Sequence, residues 1–404
     1  MMENRYCVIM CGGVGSRFWP FSKSSAPKQF IDFFGTGRSL LQMSFDRVAE
    51  IVPVRNILAI TNERYAPLVK QQLPDLADDQ ILLEPDRRNT APCIAWAAYH
   101  IRAINPNAMM LVTPSDHLIL KEDVFRDCVV KGFDFLSRQR RGLLTLGIKP
   151  NRPETGYGYI QISKDEVEDG ITKVKTFTEK PNEELAKVFV QSGEFFWNSG
   201  IFLWSADAII DAFHDHCPDI AMRFDNGLGK FGTAKETEFI GSEFPACPNI
   251  SIDYAVMEKS NDVYVECVDI GWSDLGSWGA YYEKSPKAEH RNVTHNCRTV
   301  LNNCENNIFA AKNEKLIVAS GLDGYVVADN DDILLICPLS EEQKIKQYVN
   351  EVKTNFGDKY LIIKLYANFN VRSLLKDRTK IKFKIQPCNR TGYFKTSLIL
   401  SSNS

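Results

Sequence analysis

The residues best suited to chemistry cluster first in the stretch from Val8 to Phe30, which runs VIMCGGVGSRFWPFSKSSAPKQF. Gly12, Gly13 and Gly15 follow a short apolar run, Cys7 to Met10, of the kind a buried parallel strand uses. Glycines directly after a strand let backbone N–H groups approach an anion with no Cβ in the way. Arg17 and Lys28 add positive charge at the two ends of the loop. The stretch therefore suits a highly charged phosphate chain. Two familiar phosphate loops are excluded. A Walker A loop needs Lys-Ser/Thr directly behind its last glycine, and Gly15 is followed by Ser16 and Arg17 instead. A dinucleotide fingerprint needs a third glycine where Phe18 stands, and Phe18 would obstruct the close helix–strand packing that glycine permits.

Carboxylates come next. Asp116 follows the apolar run Met109–Val112 in LVTPSDH, and Asp274 follows the strand-like Val263–Asp269 in GWSDLGSW. In an open α/β sheet, ligands sit beyond the carboxyl ends of the strands. Both acids are thus expected to face the cleft of the glycine loop. Two carboxylates converging on a phosphate site suit Mg²⁺, which takes one or two carboxylates plus phosphate and water oxygens. Either acid taken alone equally fits an N-cap or a turn. His117 is expected to position its neighbours, since a phosphate monoester with a second ionisation near pH 6 needs no base to attack. His214 and His216 sit at alternate helical spacing, which points their rings apart and disfavours a shared metal. Glu179-Lys180-Pro181 closes a strand, where Lys180 suits a second phosphate and Glu179 suits a hydroxyl group; a solvated strand end is the bland alternative. Asn198, inside the apolar FFWNSGIFLW, must satisfy up to four hydrogen bonds, so it braces a loop or reads a ligand.

The elements that must position these groups follow from periodicity. Tyr6–Met10, Asn56–Thr61, Gln80–Leu83, Met109–Thr113 and Leu143–Ile148 have the pattern of strands. Leu40–Ala49, Tyr65–Leu73 and Pro92–Ile104 have that of helices, with Thr90 as the expected N-cap of the third. Their alternation predicts a parallel three-layer α/β sheet over the first 145 residues. A strand over Ile171–Glu179, a helix near Glu183–Gln191, another near Ala206–His214 and the strand Val263–Asp269 are expected to complete that sheet. Beyond residue 285, short strands broken by Asn, Asp and Gly predict a small β appendage, either a few coils of a β-helix or a small sheet. Ser340–Phe356 is expected as a terminal helix, with Ser340 and Gln343 as a capping box. The organisation expected is 1–285, 286–360 and a tail over 361–404.

Composition bounds the rest. A chain of 404 residues with 44% hydrophobic and 25% charged residues is typical of a globular protein. The net charge of −3 argues against a general nucleic-acid binder. It is an average over unlike parts, because Leu361–Ser404 carries nine Lys or Arg against one acid, Asp377. Such a tail suits an anionic lipid or nucleic acid, or has no role. No apolar run of about 18 residues predicts a membrane span, and the N-terminus lacks a signal-peptide core. A cytoplasmic protein is expected, its 11 scattered cysteines reduced.

Taken together, GGVGSRFWPFSKSSAPKQF (12–30), LLEPDRRNTAPCIA (82–95), TPSDH (113–117), ETGYGYI (154–160), FTEKP (177–181), WNSGIF (197–202) and GWSDLGSW (271–278) resemble the sugar-nucleotide pyrophosphorylases. Trp-Pro after the loop arginine, Pro-Lys-Gln-Phe and Arg-Asn-Thr-Ala-Pro favour the family's mannose-1-phosphate guanylyltransferase branch. The resemblance covers roughly residues 5–290. It implies a Rossmann-like, three-layer nucleotidyltransferase domain of GT-A-like type, acting on GTP and mannose 1-phosphate with Mg²⁺. It places Gly12, Gly13 and Gly15 along the nucleotide, Arg17 and Lys28 on its phosphates, and Glu84 with Asn89, Thr90, Ala91 and Pro92 near guanine and ribose. Asp116 and Asp274 would hold the metal. Gly158, Glu179 and Asn198 would bind mannose, with Lys180 on its phosphate. Many bacterial relatives also carry a phosphomannose isomerase domain with histidine metal ligands; here the last histidine is His295, so that activity is expected to be absent. The β appendage offers a surface for a possible homo-oligomer.

Overall fold

A computed structural model describes residues 2–361 apart from 14 and 169, and for 164–167 the backbone alone. The tail expected over 361–404 thus lies outside the described residues, its first residue excepted. Nine strands make the larger sheet: β1 (Arg5–Met10), β2 (Ile57–Asn62), β3 (Ile81–Glu84), β4 (Met109–Pro114), β5 (Leu143–Ile148), β6 (Gly158–Glu168), β7 (Ile171–Glu179), β8 (Phe195–Ser205) and β9 (Val263–Val268). Their order is β3-β2-β1-β4-β8-β5-β9-β7-β6.

The expected parallel arrangement holds for β1 to β4. It fails beyond β4, where β8 is inserted antiparallel to both β4 and β5. The sheet is therefore mixed. This insertion brings the residues near the start of β8 to the carboxyl end of β4, where ligands gather.

Helices cover both faces: α1 (Leu40–Ala49), α2 (Ala66–Gln72), α3 (Thr90–Ile104), α4 (Glu122–Leu136), α5 (Glu183–Ser192), α6 (Ala206–His216), α7 (Pro218–Asp225) and α8 (Glu236–Glu243). Alternation along the strands decides which face each residue serves. Tyr6 and Val8 of β1 join the cluster containing α3, α6 and α7, whereas Cys7 and Ile9 join the one containing α1, α2, α4 and α5. The N-cap of α3 is Asn89, not Thr90; the Thr90 hydroxyl instead accepts the Ile252 N–H at 2.9 Å.

After α9 (Trp278–Lys284) the chain builds a second sheet of β10 (Val293–Asn302), β11 (Ile308–Ser320), β12 (Tyr325–Asn330) and β13 (Ile333–Pro338). β10, β11 and β12 are parallel neighbours joined by short turns. Parallel pairs ordinarily need a long crossover. Here the strands themselves turn a corner, marked by the register shift between His295 and Cys297, so the chain coils back beneath itself. Val293, Ile308 and Val326 stack in successive coils. Asn307 ties them: its Nδ2 donates to Asn292 Oδ1 and to the Leu322 carbonyl, and its Oδ1 accepts the Tyr325 N–H. Of the two arrangements expected, the coiled one is formed.

The expected capping box at Ser340 is not. Leu339–Lys344 is a 3₁₀ turn without a side-chain cap, and α10 (Ile345–Phe356) starts after it. The Glu342 carboxylate is drawn elsewhere, to the Ser277 hydroxyl and the Gly279 N–H at the start of α9. These coils and α10 form one apolar cluster with Phe18, Trp19, Phe21 and Trp278. The C-terminal part thereby backs the glycine loop, with Asn330 Nδ2 donating to the Pro20 carbonyl at 2.7 Å beside the cis Trp19–Pro20 bond.

Candidate active site

The glycine loop leaves the carboxyl end of β1. Gly13 and Gly15 have φ of +84° and +69°, conformations that L side chains rarely adopt. A Cβ on Gly15 would stand 2.6 Å from Lys28 Cβ, whereas Gly12 and Gly13 face open space. A residue that sequence reasoning left unassigned shapes the loop. Gln29 Nε2 donates to the carbonyls of Cys11, Gly12 and Gly13 at 3.1, 3.4 and 3.4 Å. Because the peptide is planar and trans, drawing the first two carbonyls to Gln29 turns the N–H groups of Gly12 and Gly13 the other way. Arg17 lies in the following 3₁₀ turn, Ser16–Phe18, and its Nε is buried with no hydrogen-bond partner among the described residues.

The loops that carry the two acids are joined by backbone pairing. Leu118 and Ser273 exchange N–H···O bonds of 2.9 and 3.0 Å in an isolated antiparallel bridge. This clamps the loop after β4 to the loop before α9. Lys28 occupies the space between them. Its Nζ is 2.8 Å from Asp116 Oδ2 and donates to the carbonyls of Asp274 and Leu275 at 2.7 and 3.2 Å. Lys28, Asp116 and Asp274 thus form one cluster, with the ammonium against a carboxylate. Burial opposes ionisation of Asp116, but Lys28 and His117 outweigh it and hold the carboxyl below its ordinary value. The His117 Nδ1 accepts from Trp272 Nε1 at 3.2 Å, and burial keeps the ring below its ordinary value against the pull of Asp116. Asp274 Oδ1 accepts from the Tyr157 hydroxyl at 2.5 Å and from the Gly276 N–H at 3.0 Å. Tyr157 was another unassigned residue, although it stands inside the GYGYI motif.

Gly158, Glu179 and Asn198 form a second cluster. A Cβ on Gly158 would lie 2.5 Å from Glu179 Oε2 and 3.3 Å from Asn198 Cβ. Lys180, at φ +48°, pairs with the Glu179 carboxylate. Burial opposes the charge on Lys180, but the Glu179 contact raises its pKa. Asn198 is fully engaged on its carbonyl side, where Oδ1 accepts from Thr145 Oγ1 at 3.0 Å and from the Gly200 N–H at 3.2 Å. Its Nδ2 donates to Asp253 Oδ1 at 2.9 Å. No sequence spacing signals that pair, which spans two unrelated elements. Tyr157 joins the two clusters: its hydroxyl is on Asp274, its carbonyl accepts the Lys180 N–H at 3.1 Å, and Gly158 follows it in the chain.

Glu84 ends β3 beside the first turn of α3. Burial pushes its carboxyl up to about 7, against a hydrogen bond from Cys93 and the charge of Arg87. The start of α3 is tied down: Asn89, at φ +66°, accepts the Thr90 N–H at 2.9 Å, and the Ala91 N–H donates to the Ile250 carbonyl at 3.1 Å. Pro92 is buried in the same turn and brings no N–H.

Residues 6–291, which carry all of these groups, match the model of the nucleotidyl transferase family. The chain belongs to that family. It is a nucleotidyltransferase, as the sequence motifs imply. The mannose-1-phosphate guanylyltransferases of Klebsiella pneumoniae and Escherichia coli are each 37% identical to it over 358 residues, covering 87% of this chain and 75% of each relative. A solved structure named mannose-1-phosphate geranyltransferase, from Thermus thermophilus, is 27% identical with a TM-score of 0.78. It aligns over 87% of this nucleotidyltransferase and 99% of that chain.

Proposed function

We propose that this nucleotidyltransferase converts GTP and α-D-mannose 1-phosphate to GDP-mannose and pyrophosphate. The observation that carries the reading is the pair of joined clusters: a glycine loop with a buried cation and two acids on one side, and a polar cluster around Asn198 on the other. The 37% identity to named mannose-1-phosphate guanylyltransferases supports the substrates.

The N–H groups of Gly12 and Gly13 face the triphosphate, and Arg17 contributes charge to the part that leaves. Glu84 and the Asn89–Pro92 turn take the guanine and ribose. Gly158, Glu179 and Asn198 hold mannose, and Lys180 its phosphate. An oxygen of that phosphate attacks the α-phosphorus in line. The new P–O bond forms as the bond to the β-phosphate oxygen breaks, and pyrophosphate carries off the electron pair. The nucleophile is already ionised at neutral pH, so no protein base is needed. The work left to the protein is positioning and charge neutralisation.

The donor set fits Mg²⁺. Asp116 is held in its ionised form, and hard carboxylate oxygens beside a phosphate site are what this ion takes. Asp116 and Asp274 would hold it, and when bound it would neutralise charge developing on the phosphates. Lys28 keeps the two acid loops together, and Tyr157 fixes the orientation of Asp274. The ten described cysteines stand as free thiols, in keeping with the reducing cytoplasm.

The test is a panel of GTP, UTP and dTTP against mannose, glucose and fucose 1-phosphates, scored by pyrophosphate release. GTP with mannose 1-phosphate is expected to be the best pair by at least tenfold in kcat/KM, and another best pair overturns the substrate reading. Asp116→Ala should lose most turnover while its thermal unfolding stays cooperative; near-normal turnover would sink the metal assignment.

A further inference from the structure

The group of Asn198, Asp253 and Glu179 carries one more step. An amide side chain has one acceptor oxygen and two N–H donors. In Asn198 the oxygen is committed twice, to Thr145 Oγ1 at 3.0 Å and the Gly200 N–H at 3.2 Å. The Gly200 N–H can only donate, so it fixes which side of the amide is oxygen; the Thr145 hydroxyl divides its single hydrogen between that oxygen and the Ile201 carbonyl at 3.1 Å. One Nδ2 hydrogen goes to Asp253 Oδ1 at 2.9 Å, and the second is left for another acceptor. Asp253 opens a five-residue π-helical turn, Asp253–Met257. Burial and, after it, the charge of Glu179 push its carboxyl up to about 7, against the charge of Lys180 at the end of β7 and a hydrogen bond from Ser251. Nothing in the guanylyl-transfer mechanism uses Asp253.

We propose that Asp253 is a positioning residue for the sugar: it locks the Asn198 amide with its remaining N–H turned to the mannose subsite, where that N–H donates to a sugar hydroxyl. The second carboxylate of the pocket, Glu179, then accepts from a hydroxyl. Donor and acceptor are thereby presented as a fixed pair, which selects the orientation of neighbouring hydroxyls on the ring. Without Asp253 the Asn198 side chain keeps its oxygen contacts but loses the anchor that aims its nitrogen. Losing a hydrogen bond that aims a ligand-binding group is enough to shift a Michaelis constant by about tenfold.

This inference rests on the guanylyl-transfer reading, and steady-state kinetics separate the two. The set is wild type, Asp253→Ala, Asp253→Asn, Asn198→Ala and the double variant Asp253→Ala/Asn198→Ala, each assayed with GTP and mannose 1-phosphate. Asp253→Ala is expected to raise KM for mannose 1-phosphate about tenfold, with KM for GTP within twofold of wild type. Asp253→Asn, whose amide oxygen still accepts from Asn198, should recover most of the loss. In the Asn198→Ala background, removing Asp253 should cost nothing further, because the two act as a unit. Equal rises in both KM values, full additivity of the two alanine changes, or an Asp253→Ala enzyme with the wild-type sugar KM would each overturn the proposal. Wild type that makes no GDP-mannose in the same assay overturns the guanylyl-transfer reading itself, and this inference with it.

Discussion

Lys28→Met is the most informative single change, because it keeps the aliphatic stem and deletes only the charge. In the wild type the ammonium contacts one carboxylate oxygen at 2.8 Å and two backbone carbonyls at 2.7 and 3.2 Å. The Lys28 side chain is 5% exposed and that of Asp116 is 26% exposed. Removing one partner of a fully buried pair costs about 3–5 kcal/mol. Partial exposure of Asp116 lets water take up some of that loss, so the low end applies, about 3 kcal/mol or roughly a 5 °C fall in Tm. The deficit should depend on pH in a set direction. In the wild type, the lowered Asp116 pKa gives stability that is present above the unfolded value and lost only as pH falls through the folded one. Without Lys28, burial raises the folded pKa, so the penalty is absent below the unfolded value and grows as pH rises towards neutral. The gap between variant and wild type should therefore narrow as pH is lowered from 8 to 4.5 in urea unfolding. Adding Asp116→Asn removes the uncompensated charge and should restore about 1–2 kcal/mol at pH 7. A Lys28→Met protein as stable as wild type, or a double variant as unstable as the sum of its parts, would refute the placement of Lys28 as counter-charge.

Two further outcomes follow from the same geometry. Gly158→Ala places a methyl 2.5 Å from Glu179 Oε2 at a position without positive φ, so the effect is steric rather than conformational; KM for mannose 1-phosphate should rise about tenfold or more, since small misplacements at a reacting centre are expensive, and an equal rise for GTP would remove Gly158 from the sugar side. Glu84, pushed by burial to about 7, contributes stability that is present below the unfolded pKa and lost as pH rises through the folded one; wild type should lose ground to Glu84→Gln between pH 6 and 8 in thermal unfolding, and parallel profiles would show Glu84 to be ordinarily ionised.

What the sequence determined by itself is everything local in the chain. The glycines after β1, the helix over Leu40–Ala49 and the strand over Leu143–Ile148 are written in short-range pattern, and the structure places them at the same residues. So are the positions of Asp116 and Asp274 just beyond strands, because a residue following an apolar run must leave the sheet there. The alternation that sorts Val8 and Ile9 to opposite layers is also local. Tertiary structure decided what meets what. No pattern in the first 145 residues announces that β8 enters antiparallel beside β4, yet this places Asn198 and Gly200 at the same sheet end as His117. The Leu118–Ser273 bridge, the Tyr157–Asp274 bond and the Asn198–Asp253 pair join residues from separate elements, and hydrogen bonds of that kind leave no periodic trace. Ser340 shows the reverse case: its local capping signal was sound, but the Glu342 carboxylate gained two partners at the start of α9, and the 3₁₀ turn that carries it there displaced the cap.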